Sequence, residues 1–483
     1  MEGHGPTRLA EQSEGGLLRA DASLNDLPLD PPITTAVLAL VLLIAALVMG
    51  GGGSPAPAPE LALEWLAVLL GAVWLLLPAS ARAWHRVPRT VWLVCLLAVI
   101  VPVLQLLPLP PSLWRALPGR EMEIQALALI GQEHSWRSWS MTPERTLAAL
   151  LSLLPPLVML VLASAMSARQ RVWLLGTVLV GGIATLALGA LQLTSGPDSP
   201  VQLYGLSTPN LRGFQANHNS TADVLLAALL SAFALIRIAA RRGFIPGRAA
   251  PVLGLAALAT GLFGFGVIFT ASRMGIALLP LALLAGVILL RGWLPALNRR
   301  SLVAMAGAVA LLVLGGAALA RFNPVIASIG DRFSFENELR VELWRDGLFV
   351  ARKHYPVGVG MGGFVPALVI DERLEVVRPA MPNRAHNEYV ELGVEAGLFG
   401  LLAWGAILLI AARSAAAARR LPDWQLRTEV WFGAAVLILL MIHSMVDYPF
   451  RSMSLATLGA LCAGLLLQSP KPGTDRSNQK DYA

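Results

Sequence analysis

Charge is what this chain has least of. Asp, Glu, Lys and Arg make up 14% of its 483 residues, and hydrophobic residues make up 56%. A soluble domain carries about 25% charged residues, so the scarcity excludes an ordinary water-soluble enzyme and points to a chain largely dissolved in lipid. Cysteine is nearly absent too. Cys95 and Cys462 both lie inside apolar runs, which leaves no disulfide framework and no cysteine-built metal site. There is no Asp-x-Asp pair and no His/Asp cluster at ligand spacing, so neither a metal nor another cofactor is expected. Lys and Arg outnumber Asp and Glu, 37 to 30, yet they are scattered between apolar runs, and a nucleic-acid partner is not implied. The start of the chain lacks the basic, then apolar, order of a signal peptide. Residues 1–32 instead hold Glu2, Glu11, Glu14, Asp21, Asp26 and Asp30 against Arg8 and Arg19. They read as a disordered cytoplasmic tail, and 469–483 reads as a cytoplasmic C-terminal tail.

What is present is a series of apolar runs near 33–50, 61–78, 90–107, 146–166, 172–193, 220–236, 250–270, 275–290, 301–320, 388–411, 429–445 and 453–468. Each approaches the ~20 residues a bilayer needs, which predicts an all-α, polytopic membrane domain over 33–468 with about twelve spans. Arginines mark alternate connections: Arg82, Arg86 and Arg89; Arg169 and Arg171; Arg237, Arg241, Arg242 and Arg248; Arg291, Arg299 and Arg300; Arg413, Arg419, Arg420 and Arg427. The positive-inside rule makes these loops and both termini cytoplasmic. Two long external loops are then expected. The first, 108–145, opens on Pro108, Pro110 and Pro111 and carries Trp114, Trp136 and Trp139, read as interfacial tryptophans. The second, 321–386, lies between the ninth and tenth spans. It should hold an amphipathic helix over Glu338–Lys353, closed by the glycine-rich turn Gly358–Gly363, which follows no strand and so is no dinucleotide loop.

Charges that survive on the external side are informative, because the orientation bias removes them. Arg212, Arg273, Arg340, Arg345 and Arg451 are such survivors. Guanidinium groups grip phosphate bidentately and do not deprotonate, so several converging near the outer leaflet would suit a lipid diphosphate. The plainer account is snorkelling, or pairing with acids of the same loops. Arg273, in Thr270-Ala271-Ser272-Arg273-Met274-Gly275, has almost no loop to snorkel into. The stretch Ala385–Gly397 places His386, Glu388, Glu391 and Glu395 at the mouth of an apolar helix. Ionisable residues entering a membrane helix mark functional sites by default; the plainer account is a polar cap at the headgroups. On a helical wheel at ~100° per residue, His386, Gly393 and Gly397 share one face and the three glutamates the opposite one. Gly393 and Gly397 would let another helix approach, and Glu395 would sit in a packing or supporting role.

Four stretches give the chain a likeness. They are Gly213-Phe214 with Asn217-His218-Asn219, Ser272-Arg273-Met274-Gly275, Arg340 and Trp344 followed by Pro356, Gly358, Gly360 and Phe364, and His386-Asn387 with Glu395 and Gly397. In this order, over about 205–400, they resemble the O-antigen ligase and O-antigen polymerase (Wzy-type) superfamily of bacterial membrane glycosyltransferases. The family's usual Asn-Pro-Asn reads Asn217-His218-Asn219 here. The resemblance implies a GT-C-like polytopic fold in the bacterial inner membrane with its active site facing the periplasm. It implies a metal-independent glycosyltransferase using an undecaprenyl-diphosphate-linked glycan donor and a glycan or lipid-linked acceptor, alongside the flippase and chain-length regulator of the same pathway. Carried over residue by residue, Arg212, Arg273 and Arg340 would bind the diphosphate and His386 would activate the acceptor hydroxyl. Glu388, Glu395, Arg345, Asp447 and Arg451 are supporting candidates.

Sugar transfer from a diphosphate must stabilise charge on the leaving phosphate and deprotonate a weakly acidic hydroxyl. Positioned arginines address the first need, and imidazole, with an unperturbed pKa of ~6.5, addresses the second. Three functions remain in view. A polymerase of an exopolysaccharide or O-antigen is preferred, on the ending Asp447-Tyr448-Pro449-Phe450-Arg451. A ligase handing a finished glycan to lipid A-core or another acceptor is the alternative. A transporter of lipid-linked saccharides is the competing class, but it would place charges near the bilayer midplane in repeated halves, whereas here they gather at helix ends and in one loop.

Overall fold

The computed structural model describes residues 32–52, 57–78, 83–196, 198–205, 210–293, 340–373, 382–417 and 420–468. The apolar run 301–320, the greater part of both tails and much of the second long loop lie outside the described residues.

The apolar runs become helices because a chain in lipid must satisfy its backbone polar groups internally. In order they are α1 Ile33–Met49, α2 Pro57–Leu76, α3 Arg89–Leu106, α4 Pro111–Trp114, α5 Glu121–Ala128, α6 Pro143–Leu151, α7 Leu154–Ala165, α8 Ala168–Thr194, α9 His218–Arg241, α10 Ala249–Phe269, α11 Arg273–Leu290, α12 340–353, α13 Phe364–Asp371, α14 Glu388–Ala417, α15 Trp424–His443 and α16 Met453–Leu466. Among the described residues nine helices are long and apolar enough to cross a membrane, α6 and α7 counting as one, and α1 and α16 are shorter apolar helices. The fold is thus all-α and polytopic, apart from a two-residue antiparallel ribbon, Pro108–Leu109 with Arg137–Ser138.

Helix α9 is the axis. In its most apolar window 78% of residues are buried, against 56% for α15, the next most enclosed span. It packs on α8, α10, α11 and α15, while α16 packs on α7 and α15. Its start is fixed by Asn217, whose side chain accepts from the Asn219 amide.

Side-chain bonds divide the two ends of the bundle. At one end gather the arginines: Arg237 bonds Thr428, Arg242 bonds Gln425, and Arg171 Nε meets Glu429 Oε2 at 2.6 Å. Arg171 and Glu429 are both buried, and Gln425 donates to the second Glu429 oxygen. Removing one partner of a buried pair leaves the other charge uncompensated. Glu429→Ala should therefore destabilise the protein by about 3–5 kcal/mol, read as a lower Tm in detergent.

At the other end the two long loops pack together. Met141 N–H donates to Val359 O, Thr146 Oγ1 to Met361 O, and Trp139 Nε1 to Val357 O. Val350, Val359, Phe364, Leu368 and Val394 form a small separate core beneath them. Two of the tryptophans here are packed within the protein. Trp114 is fully buried and donates to Ser135 O, Trp139 packs edge-on against Phe399, and Trp136 alone is exposed. The loop forms a folded module, so its rings fill it.

Candidate active site

The start of α14 is set by Asn387, whose Oδ1 accepts from the Tyr389 and Val390 amides. The residue before that cap, His386, lies outside the helix at φ 48°, in the left-handed region. This corrects the helical wheel: His386 does not share a helix face with Gly393 and Gly397. Nor do those glycines form a packing pair. Gly393 faces open space, and Gly397 breaks the helix at φ 57°, ψ −147°, where a Cβ would stand 2.2 Å from the Pro356 carbonyl oxygen. Gly397 is a close-approach site for the loop, and only glycine fits it.

Released from the helix, His386 turns toward the turn after α15. Its Nδ1 lies 3.3 Å from Asp447 Oδ1, within ion-pair reach but off the line of a hydrogen bond. Its ring packs against Tyr448 with centroids 5.1 Å apart. The side chain is 29% exposed, so the imidazole is held on one edge and open on another. Asp447 is held from its other oxygen, which accepts from Asn217 Nδ2 at 3.2 Å and Asn219 Nδ2 at 2.7 Å. The tripeptide that departs from the family pattern still contributes to the site, since its two outer asparagines orient the carboxylate that faces His386. Burial pushes the Asp447 pKa up, but His386, His443 and Asn219 outweigh it and bring it down to about 2.

Below Asp447 lies a pair not anticipated from the sequence. His443 Nδ1 and Asp223 Oδ1 are 2.7 Å apart, both fully buried, on α15 and α9. Each had a signal: an ionisable residue inside an apolar run.

The predicted arginines reach this end in different ways. Arg340 opens α12, and its charge acts on His443. Arg273 is the first residue of α11, behind the Ser272 cap that accepts from Gly275 N. There α11 presses against α9: a Cβ on Gly275 would stand 2.4 Å from Ala222 Cβ. Arg212 lies in the loop that carries Asn217 and Asn219. It donates to Ala216 O at 2.6 Å, while its Nε is buried without a partner among the described residues, and burial lowers its pKa. Arg345 is exposed on α12, and no ion pair holds it among the described residues.

The glutamates of α14 do share a face, as their spacing predicts, and Arg451 lies on it. Arg451 Nη2 is 2.7 Å from Glu395 Oε2 and 3.5 Å from Glu391 Oε1, and both glutamates are fully buried. Burial alone would lower the Arg451 pKa; Glu395, Glu391 and Glu388 raise it instead. Arg384 also pairs with Glu391, at 2.8 Å, and Glu388 accepts from Ser444 Oγ. Glu395 is thus more than a packing residue: its Oε1 also accepts from Phe364 N, tying the second loop to α14. No group of three or more His, Cys, Asp or Glu suited to a metal occurs among the described residues.

Residues 257–405, which take in the later part of α10, all of α11, α12 and α13 and the first part of α14, match the family model described as O-antigen ligase. The chain carries an O-antigen ligase domain over these residues. No curated protein matches the chain. The O-antigen ligase match contains Arg273, Arg340, His386, Glu388 and Glu395, whereas Arg212, Asp223, Asp447 and Arg451 lie outside it. The turn after α15, outside the match, therefore supplies the carboxylate facing its histidine.

Proposed function

We propose that this protein transfers a glycan from an undecaprenyl-diphosphate carrier to a lipid-borne acceptor, at the periplasmic face of a bacterial inner membrane. The observation that carries the reading is His386 held beside Asp447 at the end of the bundle where Arg212, Arg273 and Arg340 arrive. In the step inferred, His386 takes the proton of an acceptor hydroxyl through Nε2, with Nδ1 turned to Asp447, which sets the tautomer and steadies the imidazolium formed. The acceptor oxygen bonds to the donor's anomeric carbon. The bond from that carbon to the diphosphate oxygen breaks, and its electron pair leaves with the diphosphate. The arginines offset the charge developing there. The family match favours a ligase over the polymerase expected from the Asp447–Arg451 ending.

Arg273→Ala tests the diphosphate role. Purified variant, given a lipid-linked donor and acceptor, should lose about 10²–10³-fold in transfer rate while reaching the membrane normally. Arg273→Lys should recover only part, since a point charge replaces a planar fork. Near-normal transfer in the Ala variant removes Arg273 from the site.

A further inference from the structure

On the opposite side of the turn 447–451 lies a cavity that the chemistry above does not use. Its volume is about 560 Å³, within the range of ligand sites. One wall is α14, from Glu388 to Ile407; the other walls come from α2, α3, α6, α7, α13 and α16. That stretch of α14 spans on the order of 25 Å, so the cavity runs from the helix ends deep into the apolar layer. Its lining changes along the way. Near the helix ends are Asn383, Arg384, Glu388 and Arg451; farther in are Leu97, Ala149, Ala403 and Ile407. Small side chains on facing walls, such as Ala149 and Ala403, leave the room a hydrocarbon chain needs.

The polar end does not suit a diphosphate. Glu60, Glu64, Glu388 and Glu395 line the cavity against Arg145, Arg384 and Arg451. Two of these arginines are already engaged, Arg384 by Glu391 and Arg451 by Glu395 and Glu391. With those guanidinium groups occupied, little positive charge is left for a phosphate. The polar end does suit hydroxyl groups, since the carboxyl groups of Glu60, Glu64 and Glu388 and the amide of Asn383 are among its lining. Tyr389, Trp404 and Phe450 add aromatic surface. His386, Arg212, Arg273 and Arg340 do not line it. The turn separates the two places, with Asp447 reaching toward α9 and Arg451 toward Glu395.

We infer that this cavity holds the acceptor as a glycolipid, its hydrocarbon chain between α3, α6, α7 and α14 and an uncharged saccharide hydroxyl on Glu388. This rests on the glycan-transfer reading and adds to it the place where the second substrate is held. Donor and acceptor then approach from opposite sides of the turn 447–451 and meet where His386 and Glu388 flank Asn387.

The test uses the full chain in nanodiscs with two photoreactive probes, a benzophenone-tagged dodecyl maltoside and a benzophenone-tagged farnesyl diphosphate. The maltoside should label α3 or α14 saturably. Ala403→Phe, and separately Ala149→Phe on the facing wall, should lower that labelling by about tenfold or more and leave farnesyl diphosphate labelling unchanged. Maltoside labelling that does not saturate, that neither variant changes, or that farnesyl diphosphate displaces from the cavity overturns the inference. Failure of the donor reading would show separately, as farnesyl diphosphate that labels nothing near Arg273.

Discussion

His386→Ala should lower the transfer rate by roughly 10²–10⁴-fold with little change in donor binding. The imidazole is 29% exposed, and Asp447, at 3.3 Å, sits on the Nδ1 side. The free edge can reach a hydroxyl. The wild-type rate should fall as acid loads the imidazole, because only the neutral ring accepts a proton, and the variant should lack that limb. Asp447 does not produce such a limb. With its pKa brought down to about 2, it stays charged throughout the range where histidine titrates. Its stabilising contribution is present above the ordinary aspartate pKa of ~3.9 and is lost only as pH falls through about 2. A variant with near-normal turnover, or with the wild-type acid limb, moves the base elsewhere, and Glu388 becomes the next group to replace.

Arg451→Ala should be the most damaging single change to the fold. It would leave Glu391 and Glu395, both at 0% exposure, a helical turn apart without their shared cation. Breaking a buried pair from one side costs about 3–5 kcal/mol. Arg384 still reaches Glu391, but no ion pair joins it to Glu395 among the described residues. Adding Glu395→Gln to the Ala variant should recover part of the loss by removing one buried charge. Thermal unfolding in detergent reads both effects. An unchanged Tm for Arg451→Ala would mean that the glutamates are held some other way.

The bundle is largely legible in the sequence, because in a bilayer the length and apolarity of a run nearly determine a helix. Eleven of the apolar runs fall on described helices, and the remaining one, 301–320, lies outside the described residues. The contacts of the site are not legible in the same way. Asp447 is held by residues about 230 positions earlier, and His443 by Asp223, 220 positions away. No local pattern encodes such pairings. Asp223, His443 and Glu429 do carry a warning, as ionisable residues inside apolar runs, but the warning names no partner. The helical wheel fails for a local reason. It carries one period through His386 and Gly397, yet Asn387 caps the helix after the first and the second breaks it. The face shared by Glu388, Glu391 and Glu395 survives because all three lie between those points.

Glycan transfer from a lipid carrier is tested most directly by the lipid-linked glycans of a strain lacking this protein. Extracted carrier lipids, resolved by mass spectrometry, should show the donor accumulating, and wild-type protein should restore the normal pattern where the His386→Ala variant does not. Long chains left on the carrier would match a ligase; single repeat units would match a polymerase. Carrier-linked glycans identical in amount and length with and without the protein would contradict the account.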